Sequence, residues 1–156
     1  MSVAFRRESD EEHLEPKFER PLPAGPNIVT RRGLDLIAER IAALQAAVAA
    51  APDTEAAAAP ARDLRYWQRR QATAQLAAPP SGTRVEFGTI VSFTLNGRPR
   101  TLAIVGDDEA DPAAGQISVH APLARAMLGA EPGEVLPFGG AEDAIAIVAV
   151  DLPPAE

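Results

Sequence analysis

Residues 46–63 read AAVAAAPDTEAAAAPARD, and two structures are open to such a stretch: a slack linker, or the tip of a helical hairpin. Alanine has the highest helix propensity, so both alanine runs favour helix, and Pro52 and Pro60 punctuate them. The flanking sequence decides. Upstream, Thr30 suits an N-cap, and Leu34, Ile37, Ile41, Leu44 and Val48 follow at steps of three and four, an a/d seam with one narrow apolar face. Pro52 ends or kinks this first helix. Pro60 is placed to open a second, because its missing N–H costs nothing in a first turn. That helix runs on through RDLRYWQRRQATAQL, with Leu64 and Trp67 as its seam residues, until Pro79 and Pro80 stop it. Two helices joined by a short turn fold back antiparallel. The stretch is therefore the tip of a coiled-coil hairpin over residues 30–80, and it carries Asp53 and Glu55. At about 1.5 Å per residue, arms of roughly 17 to 21 residues reach about 25 to 31 Å.

The composition fits one compact domain plus this extended element. Of 156 residues, 46% are hydrophobic but only 4% aromatic, because alanine inflates the apolar count while burying little area. There is no cysteine, which excludes disulfides, thiolate metal sites and cysteine nucleophiles. No apolar run approaches the roughly 20 residues of a membrane span, and the N-terminus lacks a signal-peptide core, so a soluble cytoplasmic protein with no membrane partner is expected. The net charge of −7 is unevenly spread. Residues 31–80 carry seven basic and five acidic side chains, residues 81–156 four and eleven. Any nucleic-acid contact is then local to the middle segment. Residues 1–29 mix scattered charges with Pro16, Pro21, Pro23 and Pro26 and read as a disordered tail.

From Arg84 the period becomes two. Val85, Phe87, Thr89, Val91, Phe93 and Leu95 alternate with Glu86, Gly88, Ile90, Ser92 and Thr94, and Asn96-Gly97 supplies a two-residue hairpin turn into a strand from Thr101 to Val105. An acidic loop follows, then a short strand, QISVH, a helix opened by Pro122 and closed by Gly129, and strands around residues 135–138 and 144–150. Residues 81–156 are thus expected to form a small antiparallel sheet with one short helix, and the class is α+β.

Residues 105–138, VGDDEADPAAGQISVHAPLARAMLGAEPGEVLPF, resemble the C-terminal domain of the GreA/GreB transcript-cleavage factors; FGTIVSF fits that domain's first strand, and NIVTRRGLDLIAERIAAL is similar to the family's opening helix, a threonine with a glycine three residues on. The resemblance implies an FKBP-like domain behind the coiled-coil hairpin, and bacterial RNA polymerase as partner. It implies that the domain grips the rim of the secondary channel through His120, Ala121, Pro122 and Leu123, while the hairpin enters toward the active site. In the family, an Asp and a Glu spaced D-x-x-E at the tip help hold a Mg²⁺ ion shared with the polymerase, which activates water to cut backtracked RNA. Here the spacing is D-x-E, and His120 and Ala121 stand where the family usually has an Asp or Asn and a Ser.

The candidate residues carry alternatives. Asp53 and Glu55 are either ligands to that shared Mg²⁺ or solvated acids that keep a tip soluble. Arg62, Arg65 and Arg69, with Arg70 beside them, either face nascent RNA and channel phosphates or form an ion-paired solvated face with Asp63 and Glu39. Trp67 is expected in the core. His120 and His13 are too few for a metal site, and the chain is expected to bind no cofactor of its own. The loop Asp107, Asp108, Glu109 and Asp111 lacks calcium-loop spacing and reads as a solvated, fixed loop. The leading function is a monomeric, non-enzymatic regulator of elongation at the polymerase secondary channel, with doubtful cleavage stimulation. The rivals are a channel-occupying inhibitor or competitor of cleavage factors, and an FKBP-like prolyl isomerase.

Overall fold

The computed structural model describes residues 19–154. Most of the expected N-terminal tail, His13 included, lies outside the described residues. The elements are β1 (Ile28–Val29), α1 (Arg31–Ala50), α2 (Thr54–Thr73), β2 (Gln75–Leu76), β3 (Ile90–Leu95), β4 (Arg98–Val105), β5 (Gln116–Ser118), α3 (Pro122–Met127), β6 (Val135–Phe138) and β7 (Ala141–Asp151). They divide into two units: one contains Asp35–Ala74, the other Asn27–Leu34 with Gln75–Glu156. The first turn of α1 thus belongs to the C-terminal unit.

The helical unit is the expected pair, each helix of 20 residues. Thr30 caps α1: its hydroxyl accepts from the Gly33 amide at 2.9 Å and its carbonyl from the Leu34 amide at 2.9 Å. Along the predicted seam Ile37 and Ile41 are buried and Leu34, Leu44 and Val48 half-buried. Arg40 of α1 lies over the Trp67 ring of α2, 6.0 Å from its centroid. These residues stand at comparable distances from the turn, as an antiparallel hairpin requires.

Three expectations about α2 need correction. It opens at Thr54, not at Pro60, because Asp53 is an effective N-cap whose Oδ1 accepts from the Ala56 amide at 2.8 Å. Pro60 therefore sits inside the helix, where proline costs about 3 kcal/mol relative to alanine. The cap, Glu55 in the first turn and the alanine run offset that cost. The helix also stops at Thr73, since Gln75 and Leu76 pair in parallel with Ile28 and Val29. The amide of Gln75 donates to the Asn27 carbonyl at 2.8 Å, and that of Ala77 to the Val29 carbonyl at 3.0 Å. Residues 28–29, assigned to a disordered tail from sequence, are strand because these donors meet them. Finally, Tyr66, not Trp67, is the buried aromatic of the pair.

In the C-terminal unit five strands form one sheet in the order β5-β4-β3-β7-β6. It is antiparallel except for β4 and β5, which run parallel. Asn96 and Gly97, at φ +51° and +83°, make the expected tight turn between β3 and β4. The strand expected from Arg84 begins only at Ile90. Gly88, at φ +91°, breaks the extended run, and the Thr89 amide closes a turn onto the Glu86 carbonyl at 3.1 Å. One sheet face carries the core. Val91, Phe93, Leu102, Ile104, Ile145 and Ile147 pack there with Ala124 and Met127 of α3.

Two measurements follow from this packing. Phe93 is 1% exposed, so Phe93→Ala should lower the unfolding free energy by about 3–5 kcal/mol in a denaturant titration. Glu86 ties down the chain entering the domain: the Ser81 hydroxyl donates to its Oε1 at 2.5 Å and the Ser81 amide at 3.2 Å. The Ser81 hydroxyl, assisted by that amide and by Arg84, holds the Glu86 carboxyl below its ordinary range against a smaller opposing desolvation effect. A lowered folded-state pKa contributes stability that is present above the ordinary glutamate value, about 4.3, and lost as pH falls through the lowered one. Ser81→Ala should therefore lower stability at neutral pH and flatten its fall below about pH 4.3, so that the variant and the parent protein converge in acid.

Candidate functional site

The acidic loop 106–111 organises the functional end of the C-terminal unit, and its four carboxylates do different work. Glu109 is 8% exposed, a correction to the solvated loop expected from sequence. Its Oε1 accepts from the Thr30 hydroxyl at 2.6 Å. Glycine is required at 106, and a side chain at 33 would crowd this contact. A Cβ on Gly33 would lie 3.0 Å from the Glu109 Oε1, and a Cβ on Gly106 would lie 2.6 Å from the Ile28 carbonyl oxygen. With the Gln116 amide oriented to satisfy both neighbours, its nitrogen donates to the Glu109 carbonyl at 3.1 Å and its oxygen accepts from Arg32 at 3.0 Å. The T-x-x-G start of α1 and the VGDDEAD loop are thus one device, separated by 79 positions in the chain.

Asp107 points to the other side of the loop. Its Oδ1 accepts from the Ser118 hydroxyl at 2.5 Å, and both its oxygens lie 3.1 Å from His120 Nδ1. The Ser118 hydroxyl also accepts from the His120 amide at 3.0 Å. An exposed imidazole is thereby held in place by a loop that is itself fixed through Glu109. Ala121 follows as the N-cap residue of α3, in extended conformation and without a side-chain cap. Its amide donates to the Ser118 carbonyl at 2.9 Å, and Pro122 takes the first helical position. His120 and Pro122, on either side of Ala121, are both exposed. Leu123 is half-buried against the core, so it supports the helix start from below.

The helical unit places the remaining candidates. Asp53 and Glu55 are both exposed at the turn, and one oxygen of Asp53 is committed to its cap. The arginine cluster is not a single exposed patch. Arg65 and Arg69 are exposed and Arg62 half-buried, whereas Arg70 is only 3% exposed and cannot present its charge to RNA. Arg65 Nε donates to Glu19 Oε1 at 2.7 Å. Asp63 pairs with Arg20 at 3.6 Å, and the Arg20 guanidinium lies 3.9 Å from the Tyr66 ring centroid. Two ion pairs of this face thus involve residues 19 and 20. Sequence reasoning passed over Thr30–Glu109 and Asp107–His120 because nothing local marks either pair; the glycines at 33 and 106 were the available signal.

A helical pair and a five-stranded, mainly antiparallel sheet, with a braced loop leading into a short helix, define an α+β protein. Residues 79–150 match the family described as transcription elongation factor, GreA/GreB, C-terminal. The chain is 47% identical to the transcription elongation factor GreA of Thioalkalivibrio sulfidiphilus over 58 residues, 36% of this chain and 37% of that protein. It is 42% identical to GreA of Allorhizobium ampelinum over 76 residues, 46% and 48% of the two chains. The matched stretch spans less than half the length of these relatives. A solved structure, GreA factor homolog 1 of Thermus thermophilus, aligns over 81% of this chain and 99% of its own at 17% identity, with a TM-score of 0.38, too weak a correspondence to build on. No helix among the described residues is long and apolar enough to cross a membrane.

The Thr30–Glu109 bond is open to direct test. Glu109→Ala leaves the Thr30 hydroxyl without its acceptor and should cost about 1.5–3 kcal/mol of unfolding free energy, as expected for a partly buried hydrogen bond to a charged group. Glu109→Gln, which keeps an acceptor oxygen, should cost less in the same denaturant titration.

Proposed function

We propose that the protein binds bacterial RNA polymerase at its secondary channel and modulates elongation as a cytoplasmic, monomeric, non-enzymatic factor. In this reading the exposed helix start at His120, Ala121 and Pro122 grips the channel rim and the hairpin points toward the active site. The observation that carries it is the GreA/GreB C-terminal domain at residues 79–150 preceded by a pair of 20-residue helices with a narrow acidic turn. Each helix is about 30 Å long, enough to reach into a deep channel. Proline at the first position of α3 fixes the helix start, so little conformational entropy is lost when it docks. Arg69, exposed on α2, is the arginine that meets channel phosphates or nascent RNA in this reading.

Within this reading the protein occupies the channel and competes with cleavage factors; stimulated cleavage is weak. The tip does not fit a role as donor to a Mg²⁺ ion shared with the polymerase. Asp53 uses Oδ1 to cap α2, and only Thr54 separates it from Glu55. Turning Asp53 toward a cation would uncap the helix, at a cost of about 1 kcal/mol. The prolyl isomerase reading is less well supported, since the groove on the second sheet face has Phe87 as its single aromatic lining residue.

The test is RNA cleavage by stalled, backtracked polymerase with the intact protein and with the Asp53→Ala, Glu55→Ala double variant. The two should differ by less than about tenfold, or ~1.4 kcal/mol in barrier. Both should slow cleavage stimulated by an added cleavage factor. Strong cleavage by the intact protein that disappears in the double variant would overturn the assignment of the tip.

A further inference from the structure

The face of the sheet opposite the core forms a groove of about 840 Å³ within the C-terminal unit. Its floor is the row Ile90, Ala103 and Gln116, three residues in register across β3, β4 and β5. Its walls are Leu76 to Pro80 on one side and Pro153 with Pro154 on another. Leu76 is 53% exposed, and Ala103 at the centre of the floor is too small to fill the space. The four wall prolines have no N–H to offer, and the outer edge of β5 at Gln116 is already paired with Asp111. Adding a strand here is therefore disfavoured, and apolar burial is the main attraction.

The charges of the groove are Arg31, Arg32 and Glu109. Glu109 is buried and bonded to Thr30, so its charge is not offered outward. Both arginines are exposed. Arg32 is oriented by Gln116, and Arg31 has no carboxylate partner among the described residues. They occupy the first two positions of α1, whose first turn contains no acidic residue. Cations there oppose the helix dipole, an unfavourable placement of about 0.3–1 kcal/mol each that helix stability does not explain. An apolar trough with a cationic mouth, on a unit dominated by acidic residues, complements a ligand with an apolar body and one negative charge. We infer that this groove is a binding site for a small amphipathic carboxylate of medium-chain fatty-acid size, its chain on Ile90, Ala103 and Phe87 and its carboxylate at Arg31 and Arg32. The volume falls within the range of small-molecule sites, roughly 300–1,000 Å³.

The test is an amide chemical-shift titration of the intact protein with decanoate, decan-1-ol and decylammonium, each below its aggregation concentration. Decanoate should saturate and shift the amides of Arg31, Ile90, Ala103 and Gln116, with decan-1-ol at least about tenfold weaker, a difference of ~1.4 kcal/mol, and decylammonium without effect. Arg31→Glu, a surface change, should abolish the preference for the anion. Ala103→Trp should fill the groove and abolish binding; should it fail to fold, Arg31→Glu alone decides. Equal binding of all three probes, or non-saturating shifts spread over exposed residues such as Val135 and Val148, would overturn the inference. So would displacement of decanoate by a leucine- and glutamate-rich helical peptide of much higher affinity, which would assign the groove to a protein partner.

Discussion

The hydrogen bond from the Thr30 hydroxyl to the Glu109 carboxylate joins the two chain segments of the C-terminal unit, and much of the local architecture is arranged to permit it. A carboxylate taken largely out of water is costly unless it is hydrogen-bonded. Here the same threonine oxygen that receives the Gly33 amide donates to Glu109, so capping α1 and satisfying the acid are one event. The close approach leaves no room for a side chain at Gly106 and little at Gly33, and residues 27–29 meet the amides of Gln75 and Ala77. A short parallel ladder of two residues per strand has little stability alone. It is held because its first strand leads directly into the capped helix.

With the acidic loop fixed from within, its outer side is free to hold the exposed groups. Asp107 accepts from Ser118 and faces His120, and the loop leads through Ala121 into a six-residue helix with no side-chain cap. Such a helix is far too short to form by itself. Ala124 and Met127, both fully buried in the core, pin its inner face. The presented surface therefore inherits its rigidity from two sources, the packed core below and the hydrogen-bonded loop beside it.

At the tip of the hairpin, local structure and chemistry compete for the same atoms. An aspartate before an alanine run is an excellent helix cap, and the cap lets α2 begin six residues before Pro60 and tolerate it. The same hydrogen bond takes a carboxylate oxygen from any metal. Along the helix the arginines divide similarly: Arg70 is drawn into the buried side and Arg65 into an ion pair with Glu19.

The periodic parts of this fold were legible in the sequence, because burial on one face imposes a period that a short window reveals. The a/d seam of α1, the Asn96-Gly97 turn, the Pro122 helix start and the α+β class all followed from local pattern. The resemblance in residues 105–138 lies within residues 79–150, which match the GreA/GreB C-terminal family model. What local pattern misjudged were boundaries where a distant partner intervenes: α2 yields to the β2 pairing, and the strand before Ile90 yields to a turn at Gly88. The buried state of Glu109, the brace on His120 and the groove over Ala103 were decided by tertiary structure alone. Each depends on side chains brought together from far apart in the chain, and a carboxylate in an acidic run looks solvated until the residue that buries it is in place.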